Sequence, residues 1–316
     1  MPQSNPSCFR TSIGGQALIE GILMRGPKLQ AIVCRTKEGL VEKVEPVSLI
    51  SKKIPILRWP FLRGCLTFIE AMVKGMQALT YSANLVPLEE QGEPDKLDKW
   101  IEEHFSFEKA QKIIIGVAVV LGIALSLFLF VFLPAVIVSL VKPLTQSFVV
   151  RNLAEGGTRV LILIGYMALV SRTPDVQRLF RYHGAEHKTI FCYEHGKPLT
   201  VENVRPESRF HPRCGTSFLL VVVLVSILVN SVVRVSNTFG RIGCHLALLP
   251  VVVGISYEIN LWCGGHDNWL SAVLSAPGKW LQRITTAEPD DSMIECAIRA
   301  MELVIPEEKG ADEWGK

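Results

Sequence analysis

The chain lacks most of what marks a nucleic-acid binder or a secreted protein. Its 33 Lys and Arg nearly balance 30 Asp and Glu, for a formal net charge of +3. So slight an excess argues against a nucleic-acid partner. Eight cysteines carry no close, framework-like spacing, which argues against a disulfide scaffold and for reduced packing residues. The opening MPQSNPSCFR has no apolar core of the signal type, so no cleavable leader is expected. No repeat or low-complexity tract stands out. Charge is also missing altogether between Ile113 and Val141, and this last absence says the most.

Of the 316 residues, 49% are hydrophobic, and the mean hydropathy is +0.31. The apolar residues sit in blocks, which points to a membrane protein more than to a large soluble core. About 20 apolar residues at about 1.5 Å each cross the hydrocarbon layer. IIIGVAVVLGIALSLFLFVFLPAVIVSLV satisfies this with some tilt, and Pro134 is tolerable within it. Two further blocks are CGTSFLLVVVLVSILVNSVV and GCHLALLPVVVGISYEINLW; the weaker VLILIGYMALV becomes a span if it reaches back to Leu153. Spans are therefore expected near 113–141, 153–171, 214–233 and 243–262.

Charge supports that count. Fifteen Lys and Arg precede the first span and eight lie between the second and third; the Lys142–Arg159 and Arg234–Arg241 connections hold three and two. The positive-inside rule then puts both termini and a His-rich loop, 172–213, in the cytoplasm. The expected architecture is a mainly α polytopic membrane protein. It has about four transmembrane helices (113–262), a small α+β cytoplasmic N-terminal module (1–112) and a cytoplasmic C-terminal segment (263–316) with one helix.

Within the module, AIVCRT and LVEKVEPV flank KEG as a β-hairpin with Gly39 free to take positive φ. PFLRGCLTFIEAMVKGMQAL is an amphipathic helix that either packs on the module or lies in the membrane interface. IGGQALIEGILMRGP reads as a glycine-rich packing segment and turn, or as a segment whose Gln16, Glu20 or Arg25 reaches a site elsewhere. VPLEEQGEPDKLDKWIEEH is an acidic connector. A C-terminal helix starts at Asp290, Asp291 or Ser292, with Ile294, Ala297, Ile298 and Met301 as its stripe.

RYHGAEHKTIFCYEHG holds three of the seven histidines. His183, Glu186 and His187 spell H-x-x-E-H. On a helix the two histidines face one way at a spacing that lets both reach one zinc ion, with Glu186 beside them as a general base. HPRCG offers His211 and Cys214 as further ligands; CGGHDN offers His266 and Asp267 as additional site residues, and Glu20 is a third. Arg181, Lys188, Arg209 and Arg213 are candidates to hold an anionic group. Three readings stay open: a catalytic site with an open position, a closed structural site of His183, His187, His211 and Cys214, and a loop of hydrogen-bonded histidines against lipid phosphates.

GGQALIEGILMRGP, RYHGAEHKTI, ENVRPESRFHPRCGTSFL, HDNWL and APGKWLQRITTAEPDD together resemble the YqhQ-like family of bacterial membrane proteins, over about Ile13 to Met301. Members are described as uncharacterised and predicted to be metal-dependent enzymes. The resemblance implies a bacterial inner-membrane protein and carries His183, Glu186, His187, His211 and Cys214 over as the site. It also implies Arg where Ala287 stands. The leading expectation is a zinc-dependent hydrolase acting on or near membrane lipid, with a cytoplasm-facing site. The alternative is an assembly or scaffold protein that holds a structural zinc and binds membrane or cytoplasmic proteins. A transporter ranks third, since Glu258 is the one acidic residue read as lying well inside a span.

Overall fold

The computed structural model describes residues 9–47, 59–85, 107–141, 147–231, 235 and 237–314. The acidic connector expected at 86–104 lies outside the described residues. The strands are β1 (Gly14–Leu18), β2 (Gly21–Arg25), β3 (Leu29–Thr36) and β4 (Gly39–Pro46). The helices begin with α1 (Leu62–Leu85), then α2 (Phe107–Leu127), which continues through a π-helical turn at Phe128–Phe132 into α3 (Leu133–Val141). After them come α4 (Phe148–Val170), α5 (Pro174–Glu194), the single turn α6 (Val201–Val204) and α7 (Gly215–Ser231). The last are α8 (Thr238–Gly265), α9 (Trp269–Thr285) and α10 (Asp291–Glu302). Packing divides the chain into two compact units. One is Met1–Val86 with Ile164–Val225 and Pro250–Lys316; the other is Pro87–Leu163 with Ser226–Leu249.

In the first unit the four strands form an antiparallel meander in chain order. The expected hairpin is β3–β4, closed where Thr36 faces Gly39, whose φ is 130°. The glycine-rich segment is itself a hairpin, β1–β2, turning through Glu20 at φ 52°. Composition hides it because glycine is a poor strand former. Packing accounts for Gly21: a Cβ there would lie 2.6 Å from the Cys34 sulfur on β3.

The central strands β2 and β3 are buried on both faces. Ile22, Met24, Ala31 and Val33 point into a core shared with Tyr182, Ala185 and Ile190 of α5 and Met293, Ile294, Ala297 and Met301 of α10. Leu23, Ile32 and Cys34 point the other way, against Ala78, Leu79 and Tyr81 of α1. Two-sided burial is why AIVC reads as an unbroken apolar run. Each fully buried Ile or Met contributes about 1.5–3 kcal/mol. Helix α10 starts where expected, with the Asp290 side chain accepting from the Met293 N–H at 3.1 Å. The module expected at the N-terminus is thus one part of a unit completed by residues far along the chain.

Helix α9 was not legible as a helix, since Pro277, Gly278 and two buried serines dilute its pattern. A reciprocal capping box between Asn268 and Ser271 fixes its start. As far as Gly278 it packs with its small side: Ser271, Ser275 and Gly278 are buried while Trp269 and Val273 are exposed, and Leu281 and Gln282 are buried in its last turns. Helix α1 shows the same inversion, with Gly64, Gly75, Ala78 and Ser82 inside and large apolar residues outside.

Among the described residues, three helical stretches are long and apolar enough to cross a membrane: Gly116–Leu140, Val149–Val170 and Ile242–Gly265. They match the spans expected near 113–141, 153–171 and 243–262. Of the segment expected as a span at 214–233, Gly215–Ser231 forms the apolar helix α7, and 232–233 lie outside the described residues. The π-turn sits just before Pro134, where proline removes a helical N–H.

The second unit holds a buried polar core. Arg159 Nη2 lies 2.6 Å from Glu155 Oε1 and 2.7 Å from His245 Nδ1, and its Nη1 donates to Ser226 Oγ at 3.0 Å. Asn152 donates to the Asn230 carbonyl at 2.9 Å. Glu155 and Arg159 read in the sequence as flanking the apolar stretch; they lie inside α4 because their i,i+4 pairing lets a helix carry both.

Gly184 lies in the middle of α5 for a steric reason. A Cβ at this position would run into the Ala287 carbonyl oxygen, closer than any real contact of that kind. Gly184→Ala is therefore expected to destabilise the first unit by about 1–3 kcal/mol through overpacking. Thermal unfolding of the detergent-purified protein checks this; an unchanged transition would contradict the close approach.

Candidate metal centre

Helix α5 covers the whole H-x-x-E-H motif, opened by Pro174 with Asp175 in its first turn. His183 and His187 are one turn apart, with ring centroids at 4.3 Å. Cys214 arrives from the segment before α7, which α9 holds in place. Gln282 accepts from the His211 N–H at 2.8 Å and donates to the His211 carbonyl at 2.7 Å. The result is a cluster of His183, His187 and Cys214 whose donor atoms all lie within 4.8 Å of one another.

The outer contacts orient those donors. His183 Nδ1 lies 2.8 Å from the Thr285 carbonyl, and His187 Nδ1 lies 2.6 Å from the Arg209 carbonyl. A carbonyl only accepts, so both rings carry hydrogen on Nδ1 and both turn Nε2 inward. His183 Nε2 faces the Cys214 sulfur at 3.1 Å. Among the described residues, His187 Nε2 and Glu186 Oε2 are buried with no hydrogen-bond partner. Glu186 is steadied by the Gly15 backbone N–H, and a Cβ on Gly15 would meet its carboxyl carbon at 3.2 Å.

Two imidazole nitrogens and one sulfur, oriented through carbonyls on the far side of each ring, suit a divalent transition metal and zinc in particular. The two orphaned atoms fit the same reading, since each unpaired buried polar atom otherwise costs about 1–3 kcal/mol. Burial pushes the Glu186 carboxyl upward, partly offset by the two histidines. Burial alone would pull the His183 imidazole down, but the Cys214 sulfur and then Glu186 override it and raise its pKa to about 9.

Other expected site residues fall elsewhere. His211 packs its ring beside His187 at 5.6 Å, but its Nε2 faces Glu194 Oε2 at 3.5 Å, outside the converging donors. Burial pushes its pKa down to about 4 against the pull of Glu194, so the ring is neutral. Glu194 also takes the Thr11 N–H at 2.9 Å and pairs with Arg213. His266 is exposed, bonded to the Trp262 carbonyl at 2.8 Å, and Asp267 pairs with Arg10. Glu20 pairs with Arg178 and reaches Tyr182 Oη at 3.3 Å, away from the cluster.

The four cations expected to hold an anion are engaged by the protein. Lys188 reaches Glu288 at 2.7 Å and Arg209 reaches it at 3.3 Å; Arg181 pairs with Asp290 at 3.4 Å. Residues 285–288 thus tie these cations to the histidines. At Ala287 the backbone makes the contacts, with its N–H donated to the Phe180 carbonyl at 2.9 Å. Outside this loop lies a cleft of ≈ 600 Å³ lined by Arg172, Arg181, Arg209 and Arg283 with Ala168, Phe180 and Ile284. Among the described residues no ion pair engages Arg172 or Arg283. No sequence pattern marks this pair, which lies 111 positions apart.

The chain is thus mainly helical, with three helices long and apolar enough to cross a membrane and a His183–His187–Cys214 cluster among the described residues. The chain belongs to the family described as "Protein of unknown function (DUF1385)", whose model matches residues 59–307. It is 36% identical over 299 residues to "Uncharacterized protein YqhQ" of Bacillus subtilis (strain 168), a match covering 92% of each chain. No solved structure matches.

A metal that takes His183 Nε2 must displace a proton bound with a pKa of about 9. Proton competition weakens as pH rises toward that value, so apparent zinc affinity is expected to tighten about tenfold from pH 7 to pH 8. Chelator competition at the two pH values measures it. Equal affinities would rule His183 out as a ligand.

Proposed function

We propose that this chain is a bacterial inner-membrane protein that crosses the bilayer four times, through 113–141, 153–171, 214–233 and 243–262. In this reading both termini and residues 172–213 are cytoplasmic. The three long apolar helices, the shorter α7 and the surplus of Lys and Arg on the segments assigned to the cytoplasm support it. We propose further that it is a zinc-dependent hydrolase acting at the membrane surface. His183, His187 and Cys214 hold the metal, and Glu186 is the general base.

One observation carries the metal reading: His187 Nε2 and Glu186 Oε2 are buried, have no hydrogen-bond partner among the described residues, and lie beside a cysteine sulfur and a second imidazole. A divalent ion held there would supply Lewis-acid polarisation and make water easier to deprotonate. Glu186 receives the proton; burial raises its pKa, in the direction an acid–base group working at neutral pH needs. Arg172 and Arg283, with Arg181 and Arg209, offer an anionic group a place in the cleft at the end of α4, at the depth of lipid headgroups. Ala168, Phe180 and Ile284 give that cleft an apolar wall.

A second reading has its own observation. If Glu186 Oε2 closes the ligand set as a fourth donor, the zinc is structural and the protein is a membrane scaffold. Elemental mass spectrometry on detergent-purified protein separates the two. Wild type and Glu186→Gln are each expected to hold about one zinc per chain, and a His183→Ala/His187→Ala variant none. Glu186→Gln should also lose hydrolysis of anionic lipid phosphoesters. Zinc lost from Glu186→Gln would favour the scaffold, and a zinc-free wild type, purified without chelators and offered zinc, would contradict both.

A further inference from the structure

We infer that α1 is embedded in the bilayer: it starts against α8, and its first four turns, Leu62 to Met76, lie within the hydrocarbon layer and present an apolar arc to lipid acyl chains. The inference rests on α8 crossing the membrane as proposed above.

The first argument is which side of α1 is covered. At 100° per residue, Gly64, Gly75, Ala78 and Ser82 form its buried side. Leu62, Ile69, Met72, Val73 and Met76 form a neighbouring arc left open, with Ile69 57% and Met72 56% exposed. Arg63, Glu70, Lys74 and Gln77 make a separate polar stripe. A helix in water buries its large apolar residues. One that buries glycine and alanine and exposes Ile and Met is packed as helices are in lipid.

The second argument is depth. The start of α1 touches α8 inside the stretch Ile242–Gly265. Cys65 Sγ lies 3.2 Å from the Pro250 carbonyl; Phe61 covers Gly254, and Gly64 is packed against Tyr257, with room for no Cβ. Counted from Gly265 at about 1.5 Å per residue, these contacts lie roughly 12 to 22 Å along the helix, toward the middle of a hydrocarbon layer about 30 Å thick.

The third argument is charge. Glu258 faces Arg63 of α1 in a two-pronged ion pair, Nε to Oε1 at 2.7 Å and Nη2 to Oε2. It also accepts the Phe61 N–H at 3.4 Å. A lone carboxylate at that depth is costly, and a paired one is tolerated. The arginine gives Glu258 its reason for being there, and it ties the start of α1 to the depth of Glu258. Phe68 meets Phe218 of α7 at 5.9 Å, so the open arc runs on into the apolar surface of that helix. A protein partner would have to enter the bilayer to cover it.

The test uses native full-length protein in liposomes, with a lipid-soluble carbene label and a water-soluble one, read by peptide mass spectrometry. The expected result is lipid label on Ile69, Met72 and Met76, as on Gly116–Leu140, with loss of the aqueous label that α10 peptides take. Aqueous label on the α1 arc while Gly116–Leu140 takes lipid label would overturn the inference and leave the spans intact. Protection of the arc from both labels would also overturn it, and would point to a second protein surface. Aqueous label on Gly116–Leu140 would remove the membrane reading itself.

Discussion

Two backbone carbonyls decide what the histidine motif can do. Those of Thr285 and Arg209 accept from Nδ1 of His183 and His187 and so turn both Nε2 atoms inward, that of His183 onto the Cys214 sulfur. Without them each ring would be free to turn, and the nitrogens would have no reason to converge. The carbonyls come from separate segments, one at the end of α9 and one ahead of α7. Gln282 and the ion pairs of Glu288 fix those segments to each other and to α5. The cluster is a product of the whole first unit rather than of a motif.

Close backbone approach is the means by which that unit is assembled. Gly184 admits the Ala287 carbonyl, and Gly15 admits the Glu186 carboxyl group against β1. The glycine-rich hairpin therefore reaches the histidine site through a main-chain N–H rather than through Gln16, Glu20 or Arg25. Glu20 instead spends its charge on Arg178, and Gln16 packs over Gly75 of α1. On the opposite face of the sheet, α1 leaves its apolar arc uncovered, which connects the site-bearing unit to the lipid reading.

How much of this was legible depended on the physical signal. Long apolar runs and the i,i+4 histidines speak for themselves, and Asp290 announced the start of α10 correctly. Gly39 marked the β3–β4 turn. Helix α9 was illegible because Pro277, Gly278 and the buried Ser271 and Ser275 break its hydrophobic period, and β1 and β2 because Gly14, Gly15 and Gly21, poor strand formers, surround the buried Leu18 and Ile22–Met24. His211 looked equivalent to Cys214 in HPRCG, yet only a three-dimensional arrangement could show that its Nε2 pairs with Glu194. The split of Glu155, Arg159 and His245 into a polar core of their own was likewise invisible, since their pairing spans 86 positions between Arg159 and His245.

The measurement that bears most directly on the account is zinc K-edge X-ray absorption on the purified protein. The account predicts a first shell of one sulfur at about 2.3 Å and two imidazole nitrogens at about 2.0–2.1 Å, completed by oxygen. A shell without sulfur, or one with a third imidazole, would contradict it.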